Sequence, residues 1–495
     1  MGSIPPSSGL GINGGGASEG TIFDGSTFPT PAEVSEGHHL KDPTPHLSYM
    51  RNLQTKQPVL TALDRFGTGY QDYLQAPLQP LTVNLESITY EVFEKDPIKY
   101  DWYERAIARA LHDWIEQGKP TSNPDGRVVV AVVGAGRGPL VTRALKASED
   151  VGVAIDMWAL EKNPNAYVLL QRHNETTWGH RVNLVKADMR SWRGPSRPST
   201  AKHISPIYNR EADDPGEATP VSCSAMLPSS PQTDSTFLFD TATHQPTYYK
   251  IDVLVSELLG SFADNELSPE CLDGVQHLLN PVHGISIPAS YTAHLTPIAA
   301  PKLYADISHT MVNTNSNAAE IPYVVMLHAI DYLSTIQPES PSSSPRPASA
   351  SSPPQLYSKA HARKSPPTSY TPPPPPVPVV GTVWSFQHPN PSLPSLSGGA
   401  NSTVASEPTI SNSHNARHAE LAFPVPNRGT CHGLAGYFET VLYDGVELST
   451  NPNTMDQKSE GMISWFPIYF PLKVCMPKPD LCRPLSPRRL IGHFS

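Results

Sequence analysis

The residues of this sequence best suited to chemistry begin with a glycine triplet. Gly134, Gly136 and Gly138 follow directly on the apolar run Val128–Val133, and glycines at such a turn let a ligand approach the backbone at a helix N-terminus. Glu161 closes a second apolar segment, where a carboxylate can accept both hydroxyls of a ribose. Asp188 and Met189 close a third; an acid there can bond the amino group of adenine and a thioether can lie on its ring. The spacing is GxGxG, not GxGxxG, which argues against a dinucleotide and for a compact sulfonium nucleoside such as S-adenosylmethionine. Taken alone, the same residues also fit a tight turn with helix-capping acids. A second acidic pair, Glu257 and Glu266, lies in SELLGSFADNELSPECLDG; by itself it reads as two solvated loop acids.

The elements that must hold these residues follow from periodicity. DPIKYDWYERAIARALHDWIEQG predicts a helix from Pro97 to about Gln117, with Asp96 before the proline and Gly118 at the stop. Val128–Val133 is a continuous apolar run too short for a helix, as in a strand buried on both faces. Residues 140–149 then read as helix, VAIDMWALEKN as strand, AYVLLQRHNETTW as helix, VNLVKADM as strand and KIDVLVSELLGSF as a fourth strand ending in a loop. Alternation of this kind builds a parallel α/β sheet. Farther on, IPYVVMLHAI, GTVWSFQH, AELAFPV, AGYFETVLYDGVEL and MISWFPIYFPL predict strands of a second, mainly antiparallel β domain. HLSYMRNLQ and LDRFGTGYQDYLQ carry the spacing of amphipathic helices ahead of both.

Composition sets the limits. Proline is 55 of 495 residues, about 11%, roughly twice its usual share near 5%, so ordered blocks must alternate with stretches that cannot pack. The formal charge of −10 disfavours a protein that tracks phosphates and suits a basic partner; no direct nucleic-acid or membrane binding is expected. Five cysteines, spaced far apart without a CxxC pair, exclude a disulfide framework and a zinc site, and no metal is expected. No apolar run approaches 18 residues and the start lacks a leader pattern; a soluble protein of the cytoplasm, and also the nucleus, is expected.

At YEVFEKDPIKY, GAGRGPL, EKNPNA, ADMR and SELLGSFADNELSPECLDG, from about Phe66 to Phe470, the chain resembles the protein arginine methyltransferase five family. The resemblance implies a Rossmann-like methyltransferase domain followed by an antiparallel β-barrel that oligomerises. It implies S-adenosylmethionine-dependent methylation of arginine in basic, Gly/Arg-rich proteins and histones, giving monomethyl and symmetric dimethyl products. On it, Tyr90 and Lys99 contact the cofactor, Lys99 meeting its carboxylate; Gly134, Gly136, Glu161, Asp188 and Met189 hold the remainder. Glu257 and Glu266 match the catalytic pair that clamps the guanidinium, with Leu258, Leu259 and Phe262 as a dry wall. Phe93 matches the phenylalanine associated with symmetric product, and Phe66 and Trp465 match aromatic residues of the arginine channel. Trp465 on an apolar strand would otherwise read as core, and His328 and His432 read as structural.

The domain expectation is a tail without packed structure at 1–45, a helical lead-in at 46–89, the methyltransferase domain at 90–288 with an insertion at 194–247, the β-barrel domain at 289–480 with insertions at 335–380 and 391–416, and an irregular tail at 481–495. About 60 residues precede Phe66, too few for the TIM barrel that precedes the catalytic domain in this family, so docking of the family's WD-repeat partner is not expected. The competing reading is a catalytically weak scaffold protein derived from the family. A nicotinamide-dependent oxidoreductase is disfavoured by the GxGxG spacing.

Overall fold

Val128–Val133 (β1) is buried at every position, because its alternate side chains enter two different cores. Val128, Val130 and Val132 pack with the buried face of helix α1 (Pro97–Glu116), while Val129, Ala131 and Val133 pack with Trp158, Trp192 and Leu254 on the other side. The computed structural model that shows this describes residues 45–57, 59–197, 246–338, 375–393, 412–477 and 489–494. The expected N-terminal tail and the interiors of the three insertions lie outside the described residues.

Around β1 the chain lays down α2 (Pro139–Val151), β2 (Ile155–Leu160), α3 (Pro164–Thr176), β3 (Val182–Val185), β4 (Val253–Val255), α4 (Ser268–Val275) and β5 (Ile285–Ile287). The sheet order is β3-β2-β1-β4-β5, with every pairing parallel. Reversal of strand order beside β1 opens a crevice at the carboxyl ends of β1, β2 and β4.

Antiparallel strands follow: β6 (Ser290–Ala299), β7 (Gly381–Gln387), β9 (Thr430–Tyr443), β10 (Val446–Ser449) and β11 (Ile468–Pro477) belong to one sheet, and β8 (Ala419–Pro424) and β12 (Arg489–Phe494) form a separate two-stranded one. β6 pairs with β7 and β9, and β9 pairs with β10 and β11, all antiparallel. Rossmann-like α/β followed by antiparallel β is the architecture expected from the sequence. Residues 1–61 form a separate unit, of which the described part carries the helix Pro45–Thr55; Ala62–Ser495 form the other. Among the described residues no helix is long and apolar enough to cross a membrane.

Six local expectations are corrected. The lead-in is helical only at Ala62–Phe66 and Ser87–Phe93 within its unit; between them Gly69 and Asp72 turn left-handed, and Asp72 and Gln75 bond backbone groups of residues 324–329. For the same reason IPYVVMLHAI is strand only at Tyr323–Val324. In MISWFPIYFPL the strand starts at Ile468, so Trp465 lies in a loop with φ of 62° and not on an apolar strand. The first insertion has a structured mouth, Ser196–Arg197 paired with Thr247–Tyr248, and the second is closed by Thr335–Ile336 against Val377–Pro378. The tail expected to be irregular contains β12, which pairs antiparallel with β8.

Candidate active site

α1 brings Lys99 inward because its start is fixed. Asp96 caps the helix, its Oδ1 accepting the Lys99 backbone N–H at 3.1 Å, with Pro97 in the first turn. The same carboxylate reaches out of the helix: Oδ2 accepts the N–H groups of Ile463 at 3.0 Å and Ser464 at 2.7 Å. Asp96 thereby ties the helix to the loop carrying Trp465. Trp465 donates its indole N–H to the carbonyl of Leu259 at 2.7 Å and meets the Phe438 ring edge-on at 5.1 Å, which holds a bulky residue in left-handed backbone geometry.

The acidic pair is presented by a short hairpin after β4. Gly260 and Ala263 exchange backbone hydrogen bonds, and the Asn265 side chain accepts the Phe262 N–H at 2.7 Å. A Cβ on Gly260 would stand 2.3 Å from the Asn265 Oδ1, so only glycine allows the closure. Ala263 and Leu267 both take φ of 65°, and Leu267 N–H bonds the Asp264 carbonyl at 2.9 Å. The result sends Glu257, at the start of the hairpin, and Glu266, at its end, to one cavity of about 500 Å³.

Unlike Gly138, whose neighbours are Trp178 and Leu170, the twelve residues assigned to the cofactor, to catalysis or to the arginine channel all line this cavity: Gly134, Gly136, Glu161, Asp188 and Met189 on the strand ends, Tyr90, Phe93 and Lys99 from the helices, Glu257 and Glu266 from the hairpin, and Phe66 and Trp465 at the aromatic side. Phe262 does not. Its ring packs 5.1 Å from Phe470 and 5.7 Å from Trp384, so the dry wall is Leu258 and Leu259 alone. His432 accepts the Ala300 N–H, a structural contact as expected.

Burial and charge divide the acids. Glu257 Oε2 accepts from Lys99 Nζ at 3.1 Å. Burial alone would push the Lys99 ammonium down, but the charge and hydrogen bond of Glu257 outweigh it and the group is raised. Glu266 is held well above the ordinary carboxylate range, chiefly by burial and then by repulsion from Glu257, against the pull of Lys99. Glu161 is also raised by burial, although its oxygens accept the N–H groups of Gly136 and Asn163, each at 2.7 Å. Asp188 is lowered by its hydrogen bonds from Arg190. Tyr90, half-buried and facing the charge of Glu161, is pushed up to about 12.

The cavity fits an adenosine that bears an amino-acid tail. A Cβ on Gly134 would stand 2.8 Å from Leu258 Cδ2, and one on Gly136 3.0 Å from Tyr90 Cε1, so the turn stays open only because both are glycine. Each Glu161 oxygen keeps a second lone pair beyond its backbone donor. One departure stands out: Lys99, whose resemblance implied a cofactor carboxylate as partner, is bonded to Glu257.

Several residues of the site escaped sequence reasoning. Tyr70 and Phe466 form a three-ring cluster with Phe66, at centroid separations of 6.0 to 6.3 Å, and Asn163 bridges the Leu85 carbonyl and the Tyr90 hydroxyl. Asp96 was legible as a helix cap but not as a tie to a loop more than 360 residues away. Nothing in local spacing signals such long-range partners.

A parallel sheet with a glycine turn and acidic strand ends, joined to an antiparallel β domain, defines the Rossmann-like methyltransferase class. Residues 61–287 match the model of the PRMT5 arginine-N-methyltransferase family, and residues 290–480 that of the PRMT5 oligomerisation domain. The chain is 37% identical over 432 residues to protein arginine N-methyltransferase skb1 of Schizosaccharomyces pombe, an overlap covering 87% of this chain and 51% of the relative. To protein arginine N-methyltransferase 5 of Xenopus laevis it is 34% identical over 448 residues, covering 90% and 52%. The chain belongs to the PRMT5 family of protein arginine methyltransferases. It spans about half the length of the curated relatives it matches.

Proposed function

We propose that this chain is an S-adenosylmethionine-dependent protein arginine N-methyltransferase, acting on basic Gly/Arg-rich proteins and histones and yielding monomethyl and symmetric dimethyl arginine. The observation that carries the reading is the convergence of Glu257 and Glu266, from one hairpin, on the cavity that also contains the glycine turn. The family membership supports it independently.

S-adenosylmethionine supplies an electrophilic methyl group on sulfonium. The chain supplies the rest. A guanidinium is planar, cationic and poorly nucleophilic because its lone pairs are delocalised. Glu257 and Glu266 accept charge-assisted hydrogen bonds from it, fix its plane and draw positive charge away from the attacking nitrogen. As that nitrogen gains the methyl group it loses a proton. Glu266, ionised by the bound guanidinium, is suited to take it, since burial makes its carboxylate a stronger base than an ordinary one. Glu161, Asp188 and Met189 are assigned to the nucleoside, Tyr90 to the wall over the glycine turn, and Leu258 and Leu259 to excluding water. Phe93, 5.2 Å from the Lys99 ammonium, is assigned to product choice by narrowing the slot, and Phe66 and Trp465 to the arginine channel. The β domain is assigned to homo-oligomer contacts, and a location in cytoplasm and nucleus goes with the substrates.

The test is purified protein, methyl-labelled S-adenosylmethionine and an Arg/Gly-rich peptide, with the product isomers separated by chromatography. Monomethyl and symmetric dimethyl arginine are expected. Asymmetric product refutes the symmetric assignment, and no label transfer refutes the enzyme reading.

A further inference from the structure

We propose that Lys99 is an internal placeholder for the substrate cation: its ammonium occupies Glu257 until an anionic cofactor tail draws it off, so that cofactor and guanidinium bind cooperatively. This rests on the methyl-transfer reading of the cavity.

Lys99 is 1% exposed, and its Nζ sits 3.1 Å from Glu257 Oε2 with the rings of Trp465, Tyr100 and Phe93 centred 4.8, 4.9 and 5.2 Å away. A carboxylate and aromatic faces around a cation are also what a guanidinium requires. Lys99 therefore uses the same partners as the substrate, from inside the protein. It is also within electrostatic reach of Glu266. An arginine entering while Lys99 holds Glu257 meets a carboxylate already neutralised and a like charge beside it.

An anion entering past the glycine turn changes that balance. Three cations line the cavity: Lys99, Arg137 and Lys162. Arg137 pairs with Glu94 at 3.2 Å and bonds the Ser87 carbonyl at 3.1 Å, while Lys162 bonds the carbonyl of Leu81. Lys99 is the one shielded from water, where attraction to an incoming carboxylate is least screened. One of the three ammonium donors is on Glu257; a carboxylate tail bonded by another shares the positive charge and draws the ammonium toward itself, so that the hold on Glu257 weakens and its charge becomes available to a guanidinium. Linkage makes the effect mutual: the factor by which the tail strengthens arginine binding equals the factor by which arginine strengthens binding of the tail.

The experiment is calorimetric titration of the full chain with an Arg/Gly-rich peptide, alone and saturated with S-adenosylhomocysteine, which carries the tail but has no methyl to transfer. Peptide affinity should rise at least tenfold with S-adenosylhomocysteine present, and S-adenosylhomocysteine affinity by the same factor with peptide present. In Lys99→Met that factor should fall to about one; should this variant fail to fold, Lys99→Gln, which keeps a donor without the charge, is read the same way. Independent binding of the two ligands in the unmodified chain overturns the placeholder and leaves the methyltransferase reading intact. So does undiminished coupling in a folded Lys99 variant. Failure of S-adenosylhomocysteine to bind at all overturns both.

Discussion

Replacing Glu257 by glutamine tests the centre of the site, because this carboxylate has two duties. It is assigned to the substrate, and it neutralises a lysine whose side chain is 2% exposed, against 15% for its own. Removing one partner of a buried ion pair costs about 3–5 kcal/mol, most of it the uncompensated charge. Glutamine still offers Lys99 a carbonyl acceptor, so the lower end, about 3 kcal/mol, is expected for Glu257→Gln. Lys99→Met leaves a carboxylate that can reach water, at about 1–3 kcal/mol. The double variant has neither charge and should be more stable than the sum of the two single losses by about 2 kcal/mol or more. Urea unfolding of the four proteins measures this, provided the slope against denaturant is unchanged. Losses that add to within about 0.5 kcal/mol would refute the pairing. In the label-transfer assay Glu257→Gln should fall by at least about 100-fold while S-adenosylhomocysteine binding persists; near-normal turnover would refute the clamp.

Three further outcomes follow from the geometry. Gly260→Ala places a Cβ 2.3 Å from Asn265 Oδ1 and should cost about 1–3 kcal/mol by orphaning the Phe262 N–H; Gly260→Ala with Asn265→Gly should relieve the clash without restoring turnover, and a single variant as active as the parent would show that the hairpin does not set the acids. Asp96→Ala should lower stability by at least about 1 kcal/mol through the lost cap and also broaden the fluorine resonance of a 5-fluorotryptophan at Trp465; an unchanged resonance means the loop is not held through Asp96. Binding of an arginine peptide should release a proton near neutral pH, because Glu266 is raised in the free protein and a guanidinium favours its ionised form. The measured enthalpy should then depend on the ionisation enthalpy of the buffer, with the sign of release; uptake of a proton or no dependence contradicts the assignment.

Much of the α/β half was legible because its signals are local. A run such as Val128–Val133 can be buried on both faces only as an inner strand, and Asp96-Pro97 and Gly118 mark a helix whatever lies around it. The three strand ends carrying Gly134, Glu161 and Asp188 followed from that rhythm, so the nucleoside side of the cavity could be named in advance. The β half was legible in composition but less so in extent: IPYVVMLHAI has the residues of a strand, yet its backbone bonds go to Asp72 and Gln75, a choice set by a segment far away in sequence.

Residue order alone is enough to read the alternation of strand and helix, the glycine turn and the family motif around Glu257 and Glu266, since each of these is written in residues a few positions apart. That Lys99 bonds Glu257, that Phe262 turns to the β domain and that Asp96 grips the Trp465 loop emerges only in the folded chain. The physical reason is distance along the chain. Charge pairing, ring packing and capping of a remote loop depend on which surfaces the folded chain brings within a few ångströms, and residue spacing carries no record of that.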